Sequence, residues 1–180
     1  MDDKQLAEML SNPATQRKAF ELVVRQYSEQ LYWKVRRIVL YHEDANDVMQ
    51  NVMLKAWQSL DTFRNASKIS TWLYRIAINE SLDFMRRQKN AANMSSDDKD
   101  LRIANTLLAD DWFDGDETEA LLQEAIAKLP DVQRTVFNLR YYDDMKYSEM
   151  SQVLNTSEGA LKASYHLAVK KITEFFRQRD

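Results

Sequence analysis

The stretch from Asp44 to Lys89 concentrates the residue types that handle nucleic acid. It runs DANDVMQNVMLKAW, then DTFRNASKIS, then TWLYRIAINESLDFMRRQK. The last piece interleaves Trp72, Tyr74, Arg75, Asn79, Asp83, Arg86 and Arg87. Aromatic faces stack on unpaired bases, amides read base edges, and guanidiniums neutralise phosphate. An amphipathic core helix with a solvated basic face would carry similar residues. The segment alone leaves both readings open.

No other chemistry is assembled. The chain has no Cys, so disulfides and thiolate metal sites are excluded. His42 and His166 lie far apart, and neither belongs to a metal-ligand spacing. There is no nucleotide-binding Gly loop and no nucleophile–base constellation. The acidic run DDWFDGDE lacks the oxygen-ligand alternation of a calcium loop. The expectation is no enzyme, no catalytic residue, no metal, no cofactor and no small-molecule substrate.

The elements that position these residues are read as helices. Only two Gly and two Pro occur in 180 residues, which leaves little turn chemistry for strands. The fold class expected is all-α, with two small helical domains. Phe20, Val23, Val24, Tyr27, Leu31, Val35 and Ile38 recur at helical spacing. A second helix is expected from about Asp44, with its acids in the first turn where the dipole favours them. Val48, Met49, Val52, Met53, Ala56, Trp57 and Leu60 form its apolar stripe. Asp61–Ser70 is a polar break containing Phe63. Ser70 or Thr71 is the expected cap of the third helix. Trp72, Leu73 and Ile76 are assigned to its core, while Tyr74 and Arg75 fit either role.

Charge divides the chain. Residues 15–90 carry thirteen Lys and Arg against eight acids, while residues 91–127 carry two against ten. Residues 128–180 carry nine against seven. Two mildly basic modules thus flank an acidic connector. The boundaries expected are 1–90, a linker with little fixed structure at 91–117, and 118–180. Strong stand-alone DNA binding needs a clearly basic surface, which a net charge of −3 does not supply.

The second module opens on Leu121, Leu122, Ala125, Ile126 and Leu129, with Pro130 in the first turn of the next helix. YSEMSQVL, NTS and EGALKASYHLAVKKITEFF then give two helices joined by a three-residue polar turn. That is a helix-turn-helix pattern. Met150, Val153 and Leu154 are expected to pack on Leu161, Leu167 and Ala168. Ser157 is the expected cap of the second helix. An ordinary αα-hairpin is the alternative for this segment.

Three stretches together resemble the bacterial RNA polymerase sigma factors of the extracytoplasmic-function group. DANDVMQNVMLKAW is similar to their polymerase-clamp-binding helix. FRNASKISTWLYRIAINESLDFMRR is similar to the segment that melts and reads the −10 element. LPDVQRTVFNLRYYDDMKYSEMSQVLNTSEGALKASYHLA is similar to the domain that reads the −35 element. The resemblance spans roughly residues 15–90 and 118–175.

It implies core RNA polymerase and promoter DNA as partners, and an anti-sigma factor is a common further partner in that family. Asp47, Gln50, Asn51 and Leu54 share one helical face, which in the family meets the polymerase clamp. Phe63, Arg64, Asn65, Ala66, Ser67 and Lys68 match the loop that receives a flipped −10 base. Asn79 would read a base edge beside Asp83, with Arg86 and Arg87 on phosphate. Arg140, Ser157, Gly159, Lys162, Ala163, His166 and Lys170 fall on the −35-binding surface. The sequence departs from the family in carrying Ser164 and Leu167 where basic residues are common, and Lys146 where Ser or Thr often caps. In the family the linker threads the channel that RNA later occupies. Asp110, Asp111, Asp114 and Asp116 would there imitate a nucleic-acid backbone, and a solubilising spacer is the alternative.

Two rivals predict different behaviour. An autonomous helix-turn-helix regulator would bind a palindromic duplex unaided. A helical adaptor would have no promoter-dependent effect. The acidic N-terminus MDDKQLAEML has no signal-peptide character. No apolar run approaches the roughly 20 residues that span a bilayer, so a cytoplasmic protein without membrane insertion is expected.

Overall fold

A computed structural model describes residues 2–63, 68–92, 107–109 and 113–179. They form helices in two compact units, residues 1–91 and 92–180.

The first unit begins with a helix that periodicity alone did not reveal, α1 at Asp3–Ser11. Asp2 caps it by accepting from the Lys4 N–H. At its other end Thr15 Oγ1 donates to the Met9 carbonyl at 2.8 Å, and Gln16 Nε2 donates to the Leu10 carbonyl at 3.1 Å. Carbonyls left over at a helix end need such partners. Nine residues make a marginal helix in isolation, so packing must hold it. Leu6 and Leu10 are fully buried, and α1 lies on α2, Gln16–Val39.

Tyr27 of α2 donates to Asp3 Oδ1 at 2.6 Å. Burial, then the bond to Asp3 and its negative charge, push the phenol well above its ordinary value near 10. A raised folded-state value stabilises below the unfolded value and is lost as pH rises through the folded one. Stability should therefore decline with alkali above about pH 10. Tyr27→Phe should flatten that decline, measured by urea unfolding on either side of that pH.

Ala19, Val23, Leu31, Val35 and Ile38 bury the inner face of α2. Leu40 ends it at φ 77°, and its N–H still reaches the Arg36 carbonyl at 2.8 Å. The chain then reverses into α3, His42–Gln58, which buries Ala45, Val48, Val52 and Ala56. Trp57 was expected in that stripe but is 41% exposed, with its ring edge-on to Phe20 at 5.2 Å. A single turn at Leu60–Thr62 leads on to α4, Ile69–Ala92. This helix starts before Ser70 and Thr71, so neither is its cap; both lie in the first turn. Leu73, Ala77 and Ile78 are buried, while Trp72 and Ile76 are only half-buried.

Polar ties hold α4 to its neighbours. Tyr74 donates to Gln30 Oε1 at 2.8 Å, and Lys34 sits 4.1 Å above the Tyr74 ring. Lys55 of α3 pairs with Glu80, and Gln88 donates to Asp44 at 3.3 Å.

The second unit holds α5 at Glu117–Ala127, α6 at Asp131–Tyr141, α7 at Tyr147–Leu154 and α8 at Glu158–Arg177. Asp116 caps α5 through the Glu119 N–H at 2.9 Å. Pro130 stands one position ahead of α6, at its cap. Ala125, Ile126, Leu129, Phe137, Ala168 and Ile172 form the core. Glu124, 7% exposed, is held by Lys128 and by Arg179 near the end of α8.

α7 ends on Asn155 at φ 50°, a left-handed position that Asn tolerates. Ser157 then caps α8 by accepting from the Ala160 N–H at 3.3 Å. Lys146 cannot cap α7 with its side chain; instead its N–H donates to the Glu149 carboxylate at 3.2 Å. Met150 and Leu161 are buried as expected. Leu167 is not: it is 46% exposed, because its helical position turns it away from Leu161 and Ala168. Among the described residues of the connector, Leu107 is buried.

Candidate polymerase and nucleic-acid interfaces

On α3, the residues left outside the core form one surface. Asp47, Gln50 and Asn51 are exposed, and Leu54 beside them is 56% exposed. Their i, i+3, i+4, i+7 spacing puts them on one face. The buried residues Val48, Val52 and Ala56 anchor the other. Lys55, next to Leu54, is turned to Glu80 instead.

Around the turn before α4, Phe63 is 7% exposed and packs on Trp72 with ring centroids 5.1 Å apart. A ring so buried can brace a loop but has no free face for a base. Arg64, Asn65, Ala66 and Ser67 lie outside the described residues. Lys68 is exposed. Along α4, Asn79, Arg86 and Arg87 are exposed. Asp83 is half-buried and pairs with Arg86 at 3.0 Å. Exposed pairs of this kind contribute little to stability, about 0–1 kcal/mol, so Arg86 can be exchanged to another anion. Trp72 and Ile76 precede Asn79 by seven and three residues. Their half-burial places apolar surface on the Asn79 face, and the same register in the sequence was the signal that could have found it.

In the second unit, Gly159, Lys162, Ala163, His166 and Lys170 are all exposed on α8. A Cβ at Gly159 would meet nothing within 4 Å, so the first turn is open to close approach. Ser157 is occupied as the cap of α8. Arg140 is half-buried; it donates to Asp144 and to the Met145 carbonyl, each at 3.3 Å. Of the connector acids, Asp110 and Asp111 lie outside the described residues. Asp114 is exposed, whereas Asp116 is committed to capping α5. No cluster of metal-binding side chains occurs among the described residues, and none of their helices is long and apolar enough to cross a membrane.

Known proteins match both units. Residues 23–91 match the model of Sigma-70 region 2, and residues 119–172 match that of Sigma-70, region 4. The ECF RNA polymerase sigma factor SigW of Bacillus subtilis is 31% identical over 156 residues, 82% of this chain and 83% of its own. The RNA polymerase sigma-H factor of Pseudomonas aeruginosa is 28% identical over 169 residues, 89% and 86% of the two chains. Among solved structures, CnrH in complex with the cytosolic domain of CnrY has a TM-score of 0.69 at 23% identity, covering 99% of each chain. The sigma factor RpoE in complex with the anti-sigma factor NepR from Bartonella quintana also scores 0.69, at 19% identity, covering 89% of this chain and 98% of its own. These two share the fold. With one helical unit for each conserved region, the chain belongs to the ECF-type RNA polymerase sigma factors, which bind core polymerase and direct it to promoters.

Proposed function

We propose that the two units divide this work by residue. The α3 face of Asp47, Gln50, Asn51 and Leu54 docks on core polymerase. The observation that carries this is Leu54, an exposed apolar side chain amid polar neighbours on a helix whose opposite face is already buried. Residues 64–68 receive an unstacked −10 base, next in sequence to Phe63, which packs on Trp72. Asn79 reads, and Arg86 and Arg87 neutralise phosphate. Arg140, Gly159, Lys162, Ala163, His166 and Lys170 meet the −35 duplex, with Ser157 holding the start of the reading helix.

The test is run-off transcription with core polymerase plus the chain. Promoter-specific transcripts are the expected result. A residue-level failure would show as Asn79→Ala leaving the −10 preference unchanged. We also propose an anti-sigma partner that covers part of the α3 face, because one protein of this fold, RpoE of Bartonella quintana, was solved with an anti-sigma factor. It would compete with core polymerase for the chain in a titration. A cytoplasmic location follows from the same reading.

Leu167 tests the recognition face quantitatively. It follows Ala163 by four residues and is exposed where its helix would meet DNA. Leu167→Lys should add one phosphate contact, steepening the salt dependence of duplex binding by about one unit of log–log slope. Binding measured by anisotropy across a salt series checks this; an unchanged slope would remove Leu167 from the DNA face.

A further inference from the structure

Three helices of the second unit meet at one aromatic ring. Tyr147 opens α7 and is half-buried. The Arg140 guanidinium, from α6, lies 5.3 Å from its ring centroid. The Lys162 ammonium, from α8, lies 5.6 Å from the same centroid. Both fall within the range over which a ring quadrupole attracts a cation. Arg140 is fixed further by Asp144 and the Met145 carbonyl. Two cations from separate helices repel each other, and the ring between them offsets that repulsion.

We propose that Tyr147 is a positioning residue for reading the upstream element, holding Arg140 and Lys162 in place before DNA arrives. This rests on the assignment of those two cations to the −35 surface. The reading part of the recognition helix carries few cations: Lys162 is the one Lys or Arg between Ser157 and Val169. Each remaining charge must then be spent with little loss of side-chain freedom on binding. A cation already gathered over a ring loses less freedom than a solvated one. The ring does this through its electron-rich face and shape, so the phenolic hydroxyl is dispensable.

The experiment uses holoenzyme reconstituted with the full chain. The probes are a promoter duplex selected by that holoenzyme from a randomised pool and the same duplex with its upstream element scrambled. Tyr147→Leu should cut element-dependent affinity about tenfold, the sum of two modest cation–ring contacts. Tyr147→Phe should stay within about twofold. Pentafluorophenylalanine at position 147 keeps the ring's shape but withdraws its electron density, and should behave like Tyr147→Leu; it keeps the test decisive where Leu disturbs folding. In an Arg140→Ala, Lys162→Ala background, none of these changes should cost anything more, which a merely structural role would not produce. Full additivity in that background, or a pentafluorophenylalanine variant equal to wild type, would overturn the positioning role. Loss in Tyr147→Phe equal to that in Tyr147→Leu would overturn it in favour of a direct hydroxyl contact. If scrambling leaves the wild-type affinity unchanged, the upstream-reading assignment itself fails, and the positioning role with it.

Discussion

A chain carrying Asp47→Ala, Gln50→Ala and Leu54→Ala is expected to lose at least about a hundredfold in affinity for core polymerase, roughly 2.7 kcal/mol. Binding energy concentrates in a few anchors, and one exposed Leu flanked by polar groups has the make-up of an anchor with its rim. The change should leave the fold alone. All three side chains are exposed and lie outside the buried face of α3. Surface substitutions of this kind stay within about 0.5 kcal/mol, and Ala favours helix. Circular dichroism and thermal unfolding should match wild type while a labelled chain no longer titrates with core polymerase. Lys55 is the informative control. It neighbours Leu54 but is bound to the buried Glu80, so Lys55→Ala should lower stability more than polymerase affinity. Unchanged affinity in the triple variant would move the polymerase contact off this helix.

The sequence showed the elements whose signals are local. The turn Asn155–Thr156–Ser157 was legible as three polar residues between two helical runs, with Ser suited to a cap, and Ser157 does cap α8; the left-handed Asn155 that ends α7 was not read from sequence. The stripe of α2 was legible because seven apolar residues keep one period. α1 was not, because Leu6 and Leu10 alone make no pattern, and the helix exists through its contact with α2. Its Asp3, an unremarkable acid in sequence, is the partner of Tyr27. Stripe edges failed for a related reason. Trp57 and Leu167 fit the apolar period, but a period does not say how wide the buried sector is. Both fall at its margin and remain 41% and 46% exposed. The Lys55–Glu80 tie and the gathering of Arg140, Tyr147 and Lys162 join separate helices, so no window of sequence contains them. The proposed contact residues themselves came from resemblance to a family, and the structure adds their exposure, not their ligands.

Arg134 supplies the largest expected effect on stability. It is 3% exposed, at the junction of α5 and α6. Its guanidinium donates to the Ala127 carbonyl at 3.1 Å, to the Leu129 carbonyl at 3.3 Å and to Asp131 at 3.0 Å. It therefore ties off the end of α5 and the start of α6 with one fork. Burial pulls its pKa down, and the charge and hydrogen bond of Asp131 push it back up. Removing such a group takes a charged donor from two carbonyls and breaks the ion pair with Asp131, which costs about 3–5 kcal/mol. Arg134→Lys keeps the charge but not the fork, and should recover only part of the loss. Because the chain forms two units, the damage should stay local. In Arg134→Ala, hydrogen exchange should accelerate across residues 117–177 and remain unchanged across residues 3–92. Holoenzyme should still form through α3, while transcription loses its dependence on the upstream element and retains its dependence on the −10 sequence. Equal acceleration in both units would mean that they do not fold separately. A change in stability below about 1 kcal/mol would mean that water or relaxation replaces the fork, and that Arg134 is not what joins α5 to α6.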